Sequence, residues 1–102
     1  MDLHRDQLRQ LTRSRRGLIV LDFYADWCGP CRMTEPILKE LEEEKPNVLF
    51  CRIDADAEVA LAMDFNVTSI PALFFLKEGS IVGSLTGLQP KEAILHIIEE
   101  NE

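Results

Sequence analysis

A chain of 102 residues that is 46% apolar and 28% charged has the makeup of a folded globular protein, and it can bury a core without covalent staples. The length suits one domain, residues 1–102, and a net charge of −7 disfavours a nucleic-acid partner, which needs a basic face. Three cysteines cannot build a disulfide scaffold, and the longest apolar runs, Leu18–Leu21 and Leu73–Leu76, are too short to span a bilayer or act as a leader.

The first 17 residues hold five arginines and two aspartates, a balance of +3 that leaves −10 for the rest. This reads as a solvated helix face rather than a targeting peptide, which is poor in acids. Leu8 and Leu11, with Leu3 close by, share one helical face over 3–13, and Asp2 can cap that helix. Leu18 to Tyr24 is apolar at both parities, which marks a central strand covered on both faces. Pro30 can open a helix carrying Met33, Ile37, Leu38 and Leu41; Pro36 should kink it and Lys45-Pro46-Asn47 should stop it.

Val48 to Ile53 reads as a second strand, and Asp54 or Asp56 can cap a short helix through Val59, Ala60 and Met63. Leu73–Leu76 and Ile81–Thr86 flank Lys77-Glu78-Gly79-Ser80 as an antiparallel hairpin. Pro90 opens a last helix whose Ala93, Ile94, Ile97 and Ile98 form the buried stripe. The order α-β-α-β-α-β-β-α implies an α/β fold, a mixed sheet with helices on both faces.

Trp27-Cys28-Gly29-Pro30-Cys31 falls between a buried strand and a helix start. Free N–H groups and the helix dipole favour negative charge there, so a thiol is drawn toward thiolate, the nucleophilic form. Cys28 should stay partly exposed and Cys31, one turn on, should be more enclosed. A thiolate at Cys28 can attack a disulfide, and Cys31 can then resolve the mixed disulfide. A zinc or iron–sulfur site normally needs four ligands; even with Cys51, His4 and His96 lack ligand spacing, so no metal is expected. Asp22, an acid inside an apolar strand, is costly unless paired or neutral, and burial should raise its pKa. Cys51 alternates with Leu49 and Ile53 and suits a small core position.

The segment Asp22-Phe23-Tyr24-Ala25-Asp26-Trp27-Cys28-Gly29-Pro30-Cys31-Arg32-Met33, then Pro36, resembles the active-site segment of the thioredoxin family. Val67-Thr68-Ser69-Ile70-Pro71-Ala72 resembles the loop that faces it, followed by the family's hairpin and Gly87. The likeness covers roughly residues 17–100. It implies a thioredoxin-like fold with a four- to five-stranded sheet, and a redox-active Cys28–Cys31 disulfide with no further cofactor. It also implies a monomeric disulfide reductase of other proteins, served by a flavoprotein thioredoxin reductase that uses NADPH.

By the same resemblance Pro71 is a cis-proline beside the dithiol that blocks extra metal ligation and turns the Ile70 backbone toward a substrate strand. Trp27, Val67, Ile70, Gly87 and Leu88 would rim an apolar docking groove, with Gly29 and Pro30 between the cysteines. Asp22 would help deprotonate Cys31.

Some positions depart from the family pattern. A lysine is common near the buried acid, but Phe50 stands at that place, so no cation is expected beside Asp22. Tyr24 replaces a common tryptophan and Ser69 a frequent glycine. The short start favours a helix with no full strand ahead of it, giving four strands. Two other functions compete with reduction: a binding or scaffold module that uses the groove without turnover, and an oxidase or isomerase. The intact dithiol disfavours the first. The Gly-Pro pair and the expected cytoplasmic location disfavour the second.

Overall fold

The computed structural model describes residues 2–102. Its elements are α1 (Arg5–Ser14), β1 (Ile19–Tyr24), α2 (Gly29–Glu44), β2 (Leu49–Asp54), α3 (Val59–Asp64), β3 (Ala72–Lys77), β4 (Ser80–Thr86) and α4 (Lys91–Asn101). The strands form a four-stranded sheet in the order β2-β1-β3-β4. β1 and β2 are parallel, as a strand–helix–strand unit requires, and β3 pairs antiparallel with both β1 and β4. The mixed sheet and its strand number agree with the sequence reading.

Every residue of β1 is buried, as its two-sided apolar pattern demands. Ile19, Leu21 and Phe23 face one side, where they pack with Leu8 of α1, Leu61 of α3, Cys51 and Ile53. Val20 faces the other, among Leu38 and Leu41 of α2, Ile94 and Ile98 of α4, Phe50, Leu73 and Phe75. Asp22 shares that second face by alternation.

Several local expectations are corrected. Asp2 does not cap α1. It forms a parallel bridge to Arg52, and the Leu3 N–H donates to the Arg52 carbonyl at 2.9 Å. That contact keeps the chain extended, so the helix begins after His4, whose N–H donates to Gln7 Oε1 at 2.9 Å. Neither Asp54 nor Asp56 caps α3, which starts after Glu58. Asp54 Oδ1 instead accepts from the N–H groups of Asp56 (2.9 Å) and Ala57 (3.2 Å), shaping the loop before the helix. Pro90 precedes α4 as its N-cap in extended conformation rather than as its first helical residue. The β3–β4 turn places Glu78 and Gly79 at positive φ (51° and 82°), the pairing of a tight hairpin turn.

Gly83 on β4 has a separate reason to be glycine. A Cβ there would come within 2.9 Å of Ile97 Cγ2, so the missing side chain lets α4 lie close against the sheet.

Candidate active site

β1 runs straight into the Trp27–Cys31 segment. Cys28 is the N-cap of α2 and adopts extended dihedrals, and its Sγ accepts from the Cys31 N–H at 3.2 Å. A backbone donor at a helix start thus points at the first sulfur. Cys28 and Cys31 are joined in a disulfide with their Cα atoms 5.3 Å apart, inside the ordinary range for such a bond. Among the described residues the third cysteine, Cys51, is free and buried, and burial pushes its thiol up.

One expectation fails here. Cys28 is no more open than Cys31: both are 4% exposed. Tyr24 and Ala25 enclose the pair and Ile70 packs against it, so the disulfide sits flush with its surroundings. Trp27 beside it is 71% exposed. Its indole N–H donates to Asp56 Oδ2 at 2.8 Å, which holds the ring in one orientation. Sequence reasoning does not single out Asp56 as part of the site; its position in the loop after β2 carries only a capping signal.

The Ile70–Pro71 peptide bond is cis, as the resemblance implies. The Pro71 carbonyl accepts from the Gly87 N–H at 2.8 Å, which ties the loop after β4 to the start of β3. Gly87 has φ of +81°, a conformation that favours glycine. Trp27, Val67 and Ile70 come together around a cavity of about 430 Å³ that Ala55, Asp56, Ala62, Thr68 and Ser69 complete. Gly29, Pro30, Gly87 and Leu88 do not line it. Leu88 is exposed, and Gly29 and Pro30 form the first turn of α2.

Asp22 is buried and pairs across the sheet with Arg52 on β2 and Leu73 on β3. Burial pushes its carboxyl from 3.8 up to about 6, Arg52 pulls it back, and Glu35 adds to the rise. The expectation that Asp22 lacks a cation is therefore wrong. Phe50 lies opposite Val20, but Arg52, two residues on, lies opposite Asp22 with Nε 3.9 Å from Oδ2. Arg52 Nη1 also reaches Glu35 Oε1 at 3.4 Å, and its guanidinium stacks 3.8 Å above the Tyr24 ring. The signal for Arg52 is its parity with Phe50; turning that into a partner for Asp22 needs the parallel register. Among the described residues no group of three or more His, Cys, Asp or Glu could hold a metal ion.

A family model described as Thioredoxin matches residues 2–100. The chain is 39% identical over 85 residues to the thioredoxin of Chlamydia caviae, covering 83% of each chain. It is 40% identical over 86 residues to that of Bacillus subtilis, again 83% of each. Among solved structures, the oxidised form of mitochondrial thioredoxin 3 from Saccharomyces cerevisiae matches with a TM-score of 0.91 at 32% identity, covering 98% of this chain and 93% of that one. A mutant thioredoxin from Halobacterium salinarum matches with a TM-score of 0.91 at 33% identity, covering 99% and 88%.

Proposed function

The chain belongs to the thioredoxin family, and from that premise we propose the part each residue plays in its chemistry. It is a thiol–disulfide oxidoreductase acting on protein disulfides. The observation that carries the assignment of roles is the Cys28–Cys31 bond at the N-terminus of a 16-residue helix.

In the reduced chain, Cys28 is the nucleophile. The helix start favours its thiolate, and the Cys31 N–H that donates to its sulfur adds to that preference. The Cys28 thiolate attacks one sulfur of a substrate disulfide; a mixed disulfide forms and the other substrate sulfur leaves as thiolate. Cys31 then gives up its proton, with Asp22 as the acceptor, and attacks Cys28 Sγ. The Cys28–Cys31 bond forms, the substrate sulfur held on Cys28 leaves with the electron pair and is protonated, and two electrons have passed to the substrate. The Asp22 carboxyl, pushed up to about 6, suits the task because a base works best when its own proton affinity lies near the working pH.

Substrate docking falls to the apolar cavity beside the exposed Trp27, with Val67 and Ile70 in its wall. The Ile70–Pro71 backbone offers an edge for an extended segment. Gly29, Pro30, Gly87 and Leu88 would touch substrate only outside that cavity. The dithiol is the sole redox group, and residues 1–102 act as one domain and as a monomer. A thioredoxin reductase, a flavoprotein drawing on NADPH, would return two electrons to Cys28–Cys31. The cytoplasm suits this chemistry, since thiols there are kept reduced.

The test is trapping. Cys31→Ser should accumulate a mixed disulfide at Cys28 with substrate proteins, identifiable by mass spectrometry after non-reducing separation. A folded wild-type sample that fails to cycle between dithiol and disulfide at these two positions would remove the reductase assignment.

A further inference from the structure

Arg52 has no single partner. Its Nε is 3.9 Å from Asp22 Oδ2 and its Nη1 is 3.4 Å from Glu35 Oε1. The first separation is too long for a hydrogen bond, and neither Arg52 Nε nor Asp22 Oδ1 has a hydrogen-bond partner in the protein. The Tyr24 ring holds the guanidinium plane from one side, so its place between the carboxylates is set by stacking as well as by charge. Glu35 follows Cys31 by one turn on α2 and faces the same way.

The surrounding cavities give this arrangement a location. One, of about 300 Å³, is lined by Asp22, Glu35, Leu38, Phe50 and Arg52, among others. A second, lined by Tyr24, Asp26, Cys31, Glu35 and Arg52, reaches the resolving cysteine. Asp22 lines only the first and Cys31 only the second, while Glu35 and Arg52 line both. The Arg52–Glu35 pair is thus common to the cavity at the proton acceptor and the cavity at the proton donor.

We propose that Arg52 is a positioning residue for the second exchange step: its charge, divided between Asp22 and Glu35, sets how readily Asp22 accepts the proton of Cys31. The inference rests on the acceptor role given to Asp22 above. Removing Arg52 leaves the buried carboxyl with only the desolvation and the Glu35 repulsion that raise its proton affinity. Removing Glu35 takes away that repulsion and leaves the cation to Asp22 alone. The two substitutions therefore act in opposite directions.

Other charged groups on the Asp22 face are few. Lys39 and Glu42 of α2 line its cavity and carry opposite signs. β3 presents Leu73, and α4 presents Ile94 and Ile98. The Cys51 thiol belongs to the core on the other side of the sheet.

The experiment follows the Asp22 carboxyl carbon by NMR across pH in the reduced protein, for wild type, Arg52→Met, Arg52→Lys and Glu35→Gln. In parallel, stopped flow with a chromogenic aromatic disulfide reads the second release of aromatic thiolate, which reports the attack of Cys31. Arg52→Met should raise the Asp22 midpoint by about one pH unit, Glu35→Gln should lower it, and Arg52→Lys should restore most of the wild-type value. The pH midpoint of the second release should move with each. Midpoints that stay put, that move the same way in Arg52→Met and Glu35→Gln, or that respond to Arg52→Lys as to Arg52→Met, would overturn the proposal. An Asp22 midpoint that moves as expected while the release profile stays fixed would refute the acceptor role of Asp22 instead, and the positioning role of Arg52 with it.

Discussion

Replacing Asp22 with asparagine separates the cost of a buried charge from the rest of the fold's stability. Burial pushes the carboxyl from its ordinary 3.8 up to about 6 in the folded chain, so the native state prefers it protonated. The cost of ionising it begins as pH rises through 3.8, grows up to about 6, and is constant above that. At about 1.4 kcal/mol per pH unit, the interval comes to about 3 kcal/mol near neutral pH. The asparagine side chain would not ionise, though its amide must still be seated beside the Arg52 guanidinium, an offset common to every pH. The clean quantity is therefore the pH dependence of the difference between the two proteins. Urea unfolding at about pH 7.5 and about pH 3.5 should show Asp22→Asn gaining about 3 kcal/mol between the two conditions relative to wild type. The same variant should slow closure of Cys31 on a Cys28 mixed disulfide by about 100-fold. A stability difference that is the same at both pH values would refute the reasoning, because the acid would then not be held away from water in its charged form.

Gly83→Ala tests the close approach of α4 to the sheet. The new methyl would press on Ile97 Cγ2 at 2.9 Å, a stiff β-branched side chain, so urea unfolding should show a loss of about 1–3 kcal/mol with turnover unchanged; full stability would mean the helix yields freely. Cys51→Ala removes a fully buried thiol packed near Leu21 and Ile53. It should cost about 1 kcal/mol and leave protein-disulfide reduction intact. In the reduced wild type, iodoacetamide should modify Cys28 while Cys51, whose thiol burial pushes up, stays unmodified; native-state labelling of Cys51 would show that its core position opens readily.

The parts of the fold that can be read in the sequence are those set by local pattern. β1 is recognisable because apolar residues at both parities fit only a strand covered on two sides. The β3–β4 hairpin is recognisable because Gly79, which suits positive φ, stands between two apolar β-rich runs. The dithiol is recognisable for a related reason: Pro30 signals a helix start beside the two sulfurs, although the helix begins one residue earlier, at Gly29, which makes Cys28 its cap. What escapes depends on register and on long-range contact. Arg52 meets Asp22 only because Ile19 pairs with Leu49 and not with a neighbour; a slip of one residue would send the arginine to the opposite face. The start of α1 escapes for the same kind of reason, since the Leu3–Arg52 hydrogen bond competes with the helix for that stretch of backbone. The equal enclosure of Cys28 and Cys31 requires Ile70, distant in sequence, to pack on the pair.

The hairpin turn at Glu78-Gly79 closes the end of β3 opposite Pro71, so a six-residue strand, roughly 20 Å long, separates it from the reactive sulfurs. Both turn residues are exposed, and nothing lies within 4 Å of where a Cβ would stand at Gly79. The loop is thus a handle: a fluorophore, an affinity peptide or a surface tether grafted there would leave the working end unobstructed.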